Sequence, residues 1–434
     1  MIRTSALAVV VAVLAGCGGG SPRVDHVPDI VDVRLLDAKP GSASTYADPA
    51  FEALPQAKAY YGTIGSAAFR IEMPRHWNGE LFLWAHGVHG YGLEVSVDNP
   101  PHALREALIR EGYAWGASSY EENGYSAGLG TNDTLKLKRY FAERFGAPKR
   151  TYVGGMSLGG HVVALSLEQF PDEFDGGLSI CGAVAGESQI DYWLSWGLLA
   201  EYFGGHAIPL DSGAAKATEA IETQIQPALG PAISPSPAGR AFESAIRNLT
   251  GGPRPFFAEG FVAAYPYNFG LLTGDPGRTL PTAAASTNEG EVYRVDSGIG
   301  FESAALNRAI RRLPADSALR DAETHPDLAP TTGRLRDPLL TLHSSGDLIV
   351  PVSQEQAYRQ RVDAAGAGGL LVQRVIRDPS HCLFSEAEVT QSWEDLRRWV
   401  SDGTRPAGDD LTGDLSDAGL AFTNPLRPGD PGGK

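Results

Sequence analysis

Short apolar runs alternate with stretches of helical spacing from about residue 60 to residue 182 of this 434-residue chain. Residues 67–73 (AAFRIEM) alternate apolar and polar positions, which predicts a half-buried strand. Residues 80–85 (ELFLWA) are almost continuously apolar and predict a buried strand that ends in His86-Gly87. Residues 101–111 read as a helix and 113–117 as a short strand. In 134–145, Leu137, Tyr140, Phe141 and Phe145 recur at spacings of three and four, the stripe of a helix packed on one side. A strand at 150–154, a helix at 158–169 and a strand at 174–181 follow. This rhythm predicts an α/β fold, a mostly parallel sheet with helices on both faces.

The rhythm breaks off at about residue 183 and returns at 338. Residues 338–343 (PLLTLH) predict a buried strand, Ser353-x-x-Gln356 a capping-box start to a helix reaching Asp363, and 370–376 the next strand. Ser385-x-x-Glu388 opens a last helix with Val389, Trp393, Leu396 and Val400 on one face. The intervening stretch is far too long for a loop and is expected to be an inserted, mostly helical cap. The organisation predicted is a core first half at 56–182, a cap at 183–337, a core second half at 338–403 and an acidic tail at 404–434. The tail is turn-rich, its aspartates lack calcium-loop spacing, and it reads as a surface wrap or a mobile end.

Composition narrows the function. Hydrophobic residues at 42% can build a sizeable core and exclude wholesale disorder. Gly (52) and Pro (30) are frequent enough to require many turns and long connections. With 36 basic against 52 acidic side chains and no Lys/Arg run, a nucleic-acid partner is not expected. Three cysteines are too few for a disulfide scaffold.

Residues 1–16 read as a secretion signal: Arg3, an apolar run at 6–15 too short to span a bilayer, then small residues. Leu14-Ala15-Gly16-Cys17 resembles a bacterial lipoprotein signal, which implies an acylated Cys17 as the first mature residue. An ordinary secretory signal that contains a cysteine is the alternative, and either one exports the chain. Residues 17–55 would then be a tether and lead-in segment, with a membrane as partner through the lipid anchor. Export leaves Cys181 and Cys382 as an even pair in a compartment where disulfides persist.

Gly155-Met156-Ser157-Leu158-Gly159 is a G-x-S-x-G pentapeptide flanked by Gly154 and Gly160. It lies between an apolar strand and a helix, the context in which a serine is held on a sharp strand-to-helix turn. Glycines on either side let strand and helix approach without Cβ clashes, and the helix N-terminus favours negative charge developing at the serine.

On these residues the chain resembles the α/β-hydrolase superfamily of serine esterases, over roughly 60–182 and 338–402. The resemblance implies an acid after the strand that follows the cap, matched by Asp347, and a histidine after the last strand, matched by His381. Ser157, Asp347 and His381 stand in the order this fold uses. Asp378 is a rival acid without the loop-after-strand context. His161, one turn beyond Ser157, is expected to pack against the sheet, and His343 to be a core histidine. The first oxyanion donor would be the N–H of Leu158. The second, by likeness to esterases with an HG sequence, would be Val88, with His89 as runner-up. His86-x-x-His89 lacks a third ligand at suitable spacing, so no metal is called for, and no cofactor is expected.

Cys181 ends one strand and Cys382 follows His381, so both are expected at the active-site edge, either bridged or as two buried thiols. Tannase and feruloyl-esterase relatives pair the cysteine after the histidine with one just before the serine; Met156 occupies that position here. Cap aromatics, among them Tyr192, Trp193, Trp196, Phe203 and Tyr267, either line a substrate pocket or form the cap's own core. Ser118–Tyr120 and Asn123–Tyr125 are expected to border the pocket. The function expected is hydrolysis of a small-molecule or polymeric carboxylic ester through a Ser157 acyl-enzyme. The alternatives are a serine peptidase or amidase of the same fold and, further off, a binding lipoprotein without chemistry.

Overall fold

The apolar runs of the core form one sheet in the computed structural model, which describes residues 45–46, 51–90, 92–273, 282–321 and 326–424. The expected signal at 1–16, Cys17, most of the tether and residues 425–434 lie outside the described residues. The strands in chain order are β1 (Thr45–Tyr46), β2 (Ala57–Ile64), β3 (Ala67–Pro74), β4 (Glu80–Ala85), β5 (Glu94–Val95), β6 (Ala114–Ser118), β7 (Arg150–Met156), β8 (Gly176–Ile180), β9 (Leu339–Ser344) and β10 (Leu371–Ile376). β1 pairs with β5 alone, and the other eight lie in the order β2-β3-β6-β4-β7-β8-β9-β10. β3 runs antiparallel to both its neighbours, and every other pairing in this sheet is parallel.

The helices are α1 (His102–Arg110), α2 (Ala127–Phe145), α3 (Leu158–Gln169), α4 (Ser188–Gly204), α5 (Ala214–Ala220), α6 (Gln226–Leu229), α7 (Pro237–Leu249), α8 (Phe257–Thr273), α9 (Thr282–Ala285), α10 (Ser303–Ala309), α11 (Ser353–Ala364) and α12 (Glu386–Asp402). α1 and α12 cover one face, with Leu104, Leu108, Trp393 and Leu396 packed on β4 and β8. α2, α3 and α11 cover the other through Phe141, Val163, Leu167 and Tyr358. A parallel sheet needs this double cover, because both of its faces are apolar.

Three expectations about local structure change. β3 is buried along its whole length rather than on alternate positions. Its polar face is covered because Glu72 accepts from Arg105 Nε at 2.8 Å and from Trp115 Nε1 at 2.6 Å. α2 starts at Ala127, seven residues before the start expected at Thr134. Ser353 is the first helical residue of α11 and makes no cap, the N-cap being Val352. The box at Ser385 does form, with Glu388 N on Ser385 Oγ and Ser385 N on Glu388 Oε2.

The stretch between β8 and β9 folds into α4–α10 around its own apolar centre, where Trp196 is fully buried against Phe242, Phe261 and Phe269. Most cap aromatics are spent there. Beyond α12 the chain turns back as far as residue 424 and lies along β10, the sheet's outer strand. Asp409 N donates to Gln373 O at 2.7 Å, Val375 N donates to Asp409 Oδ2 at 2.7 Å, and Leu411, Leu415 and Ala418 pack on Val375. That contact covers a strand edge otherwise open to pairing with another chain.

His161 ties the core to its surroundings. Its Nε2–H donates to Ala329 O at 3.0 Å, and its Nδ1 accepts from Tyr125 Oη at 3.2 Å, the neutral tautomer with both nitrogens used. Burial pushes its pKa down to about 4, against the small opposing effect of the Ala329 carbonyl. A depressed histidine contributes stability that is complete above the unfolded value near 6.5 and is lost as pH falls through the folded one. The stability advantage of wild type over His161→Gln in urea unfolding is therefore expected to shrink between pH 6.5 and pH 4, by up to about 3 kcal/mol. A difference independent of pH would mean that the ring is not held neutral.

Candidate active site

β7 runs straight into α3, and Ser157 sits at the joint with φ 57° and ψ −120°. The left-handed region costs a residue with a Cβ free energy, so the surroundings must impose it. They do so by close approach. A Cβ on Gly155 would lie 2.4 Å from Gly159 O, one on Gly159 2.1 Å from Ala85 O, and one on Gly160 2.3 Å from Gly182 Cα. The amide of Ser157 donates to Ile180 O at 3.0 Å, and its carbonyl accepts from Gly160 N and Ala183 N.

His381 follows β10 and Asp347 follows β9, and both loops reach the same rim. His381 Nε2 lies 3.0 Å from Ser157 Oγ, and His381 Nδ1 lies 2.6 Å from Asp347 Oδ2. Asp347 is fully buried, and its other oxygen accepts from Ile349 N at 2.9 Å and Val350 N at 3.1 Å. With Oδ1 occupied by two N–H donors, Oδ2 receives the Nδ1–H of His381, which leaves Nε2 as an acceptor facing the serine hydroxyl. The rival Asp378 is used locally. Its side chain accepts from Ser380 N and its carbonyl from Gly346 N, so it shapes both loops.

Cys181 and Cys382 are bonded, with Cα atoms 5.3 Å apart, and Cys382 Sγ lies 3.3 Å from His381 Nε2. The bridge joins the end of β8 to the histidine loop across 201 residues of sequence. Gly87 lies against Ser157, since a Cβ there would be 3.2 Å from Ser157 Cβ. His86 Nδ1–H donates to Gly87 O at 2.6 Å. A trans peptide carries its carbonyl and the next N–H on opposite sides, so this bond turns the Val88 N–H away from His86. Burial, and then His89, push the pKa of His86 down to about 4, which keeps it in the neutral form that this bond uses. His86 and His89 stack ring on ring at 4.1 Å.

Ser157, Leu158, Val88, His89, His381 and Cys382 share a cavity of about 270 Å³. Trp193, Leu271, Ile349 and Met156 make its apolar walls, and Tyr125 and Tyr267 also line it. Of the segments expected to border it, Tyr125 does, whereas Tyr120, Asn123 and Gly124 are not among its lining residues, and Ser118, the last residue of β6, and Ser119 after it are buried in contact with β3. Of the cap aromatics named from sequence, Trp193 and the half-exposed Tyr267 reach the cavity.

Sequence reasoning missed how the cap grips the acid loop. Tyr192 Oη and Asn268 Nδ2 both donate to Leu348 O, at 2.6 and 2.7 Å. Gln189 Nε2 donates to Ile349 O at 2.8 Å, and Arg254 Nε donates to Ser345 O at 2.6 Å. Loss of water draws the Arg254 pKa down to about 10, with Tyr192 and Asp347 opposing, so it remains a buried cation facing the carboxylate. Gly260 of α8 packs directly on Gly346, where a Cβ would collide with the backbone. Behind the acid, His343 donates from Nε2 to Val350 O at 2.8 Å and sets Nδ1 3.3 Å from Glu355 Oε1. Burial works against charge on His343, but Glu355 first and then Asp347 outweigh it and raise its pKa. No local sequence periodicity marks these contacts, which span 80 to 160 residues in the case of Asn268 and Gln189.

The sheet order, its one reversed strand and a Ser-Asp-His set at the ends of three parallel strands define an α/β-hydrolase fold. No family model matches the chain. Among curated proteins it is similar to the o-phthalyl amidase of Xanthobacter agilis, 23% identical over 399 residues that cover 79% of this chain and 86% of the amidase. Among solved structures it is similar to feruloyl esterase B from Aspergillus oryzae (14% identity, 79% and 80% of the two chains, TM-score 0.44). It is also similar to an esterase/lipase from an uncultured bacterium (13% identity, 81% and 88%, TM-score 0.41).

Two outcomes test this geometry. Thiol titration of denatured, unreduced protein is expected to find neither Cys181 nor Cys382 free, and the Cys181→Ala/Cys382→Ala protein to lose about 2–5 kcal/mol of stability. Asn268→Leu removes a donor from the buried Leu348 carbonyl and is expected to cost about 1–3 kcal/mol in urea unfolding. A neutral result for Asn268→Leu would show that Asn268 does not brace the acid loop, Tyr192 alone serving Leu348 O.

Proposed function

We propose that the protein is a serine hydrolase that cleaves carboxylic esters through a Ser157 acyl-enzyme. The observation that carries this reading is the unbroken chain from Asp347 Oδ2 to His381 Nδ1 (2.6 Å) and from His381 Nε2 to Ser157 Oγ (3.0 Å). His381 takes the hydroxyl proton as Ser157 Oγ attacks the ester carbonyl, and Asp347 stabilises the imidazolium that results. The tetrahedral oxyanion is received by the N–H groups of Leu158 and Val88, and collapse expels the alcohol with the proton held on His381. Water then attacks the acyl-enzyme by the same route in reverse, returning the proton to Ser157. One lost oxyanion donor would cost about 2.7–4 kcal/mol of transition-state stabilisation.

The cavity's apolar walls and its volume suit a compact aromatic or apolar substrate group. Amide cleavage by the same machinery is the second reading, favoured by the similarity to an o-phthalyl amidase. We also propose that the chain is exported and held at a membrane through an acylated Cys17, on the strength of the residues around it.

A fluorophosphonate probe is expected to label wild type rapidly and Ser157→Ala not at all, with ester turnover in Ser157→Ala reduced by about 10⁶-fold. Equal labelling of both would overturn Ser157 as the nucleophile, and no labelling of either would leave a binding protein without this chemistry. Comparing matched aryl esters with their anilides then decides between esterase and amidase, the ester being expected to react faster.

A further inference from the structure

We propose that Asp98, held by His89 at the rim of the catalytic cavity, forms a subsite for a positively charged group on the substrate. This rests on the hydrolase reading of the same cavity and adds a substrate class to it. Among the residues lining the cavity, His89 and Asp98 are the ionisable acid and base outside the Ser157–His381 pair, and no lysine or arginine lines it. The remaining walls are largely apolar, so one fixed charge decides what is drawn in.

The subsite is built. The His89 ring stacks on His86 at 4.1 Å, and His86 stacks in turn on Tyr120 at 3.9 Å, whose hydroxyl donates to His86 O at 3.1 Å. In the plane of the ring, His89 Nε2 donates to Asp98 Oδ2 at 2.8 Å and Nδ1 meets Ser96 Oγ at 3.3 Å. Asp98 is thereby fixed by one oxygen alone; Oδ1 makes no hydrogen bond among the described residues, and 51% of the side chain is exposed. Burial opposes ionisation of Asp98, but the hydrogen bond and charge of His89, with smaller effects of His86 and Arg70, outweigh it and lower its pKa. The carboxylate is therefore charged at neutral pH, lines the cavity and keeps Oδ1 without a hydrogen bond among the described residues. Its tether is short, since His89 lies two residues from Gly87, which touches the nucleophile. An ammonium on either the acyl or the alcohol part gains an ion pair there, whereas a carboxylate in the same place meets repulsion.

Two ester series of matched length test this. In one the acyl chain ends in methyl, ammonium or carboxylate; in the other the alcohol does. At low salt, kcat/KM of wild type is expected to favour ammonium over methyl by about fivefold in at least one series, the upper end of what a half-exposed ion pair supplies. The preference should lie in KM, and Asp98→Asn should bring it to within about twofold while leaving turnover of the neutral ester unchanged. Asp402→Asn, an exposed charge at the end of α12, serves as control for the chain's overall negative field and should keep the preference. Equal rates for methyl and ammonium in both series, a preference for carboxylate, or a preference that survives Asp98→Asn would each overturn the subsite. Loss of neutral-ester turnover in wild type would instead overturn the hydrolase reading.

Discussion

The site depends on how closely α3 is pressed into the end of the sheet. The chain must leave β7 and enter a helix within one residue, and Ser157 takes that turn in a left-handed conformation. Nothing intrinsic to serine favours it. It is held because Gly155, Gly159 and Gly160 lie against Gly159 O, Ala85 O and Gly182 with no room for a side chain. Release of any one contact would let the turn relax, and the hydroxyl would move away from His381. The same closeness places Gly87 against Ser157, so the loop after β4 and the serine turn are one packed unit.

The acid is positioned differently. The loop after β9 is not braced by glycine packing alone but by the cap, through donors from α4 and α8 to the carbonyls of Leu348 and Ile349. Those carbonyls belong to the turn whose amides at 349 and 350 hold Asp347 Oδ1. A carboxylate taken wholly out of water needs every such donor, because an unpaired buried charge is costly. His343 and Glu355 support the turn from the core side, through Val350 O.

Much of this was legible in the chain. The glycine pattern around Ser157, the buried strands and the acid and histidine following β9 and β10 are local features, set by neighbours in sequence. What escaped was contact at long range. Gln189 and Asn268 look like ordinary helical polar residues, and only folding shows their amides aimed at the acid loop. The burial of β3 was misread because Arg105, on a helix 33 residues beyond Glu72, supplies the partner that lets its polar side be covered. Asp98 stood out for nothing in the chain for a related reason: only folding brings this exposed loop acid onto His89 and into the cavity that Ser157 lines.

These two kinds of bracing bear on how a substrate can enter. The cap's donors to Leu348 O and Ile349 O, with Arg254 on Ser345 O, are hydrogen bonds worth about 1 kcal/mol each net, and more when a buried carbonyl is left bare. Lifting away α4, α8 and the segment before α8 that carries Arg254 would break all of them at once and loosen the turn that holds Asp347. A cap that swings open would thus loosen the set that Ser157, His381 and Asp347 form. Access with the cap in place, into the cavity that Tyr267, Leu271, His89 and Asp98 help to line, leaves the acid loop untouched. On the proposed reading, the charge of Asp98 would then act on a substrate held in the same cavity as Ser157.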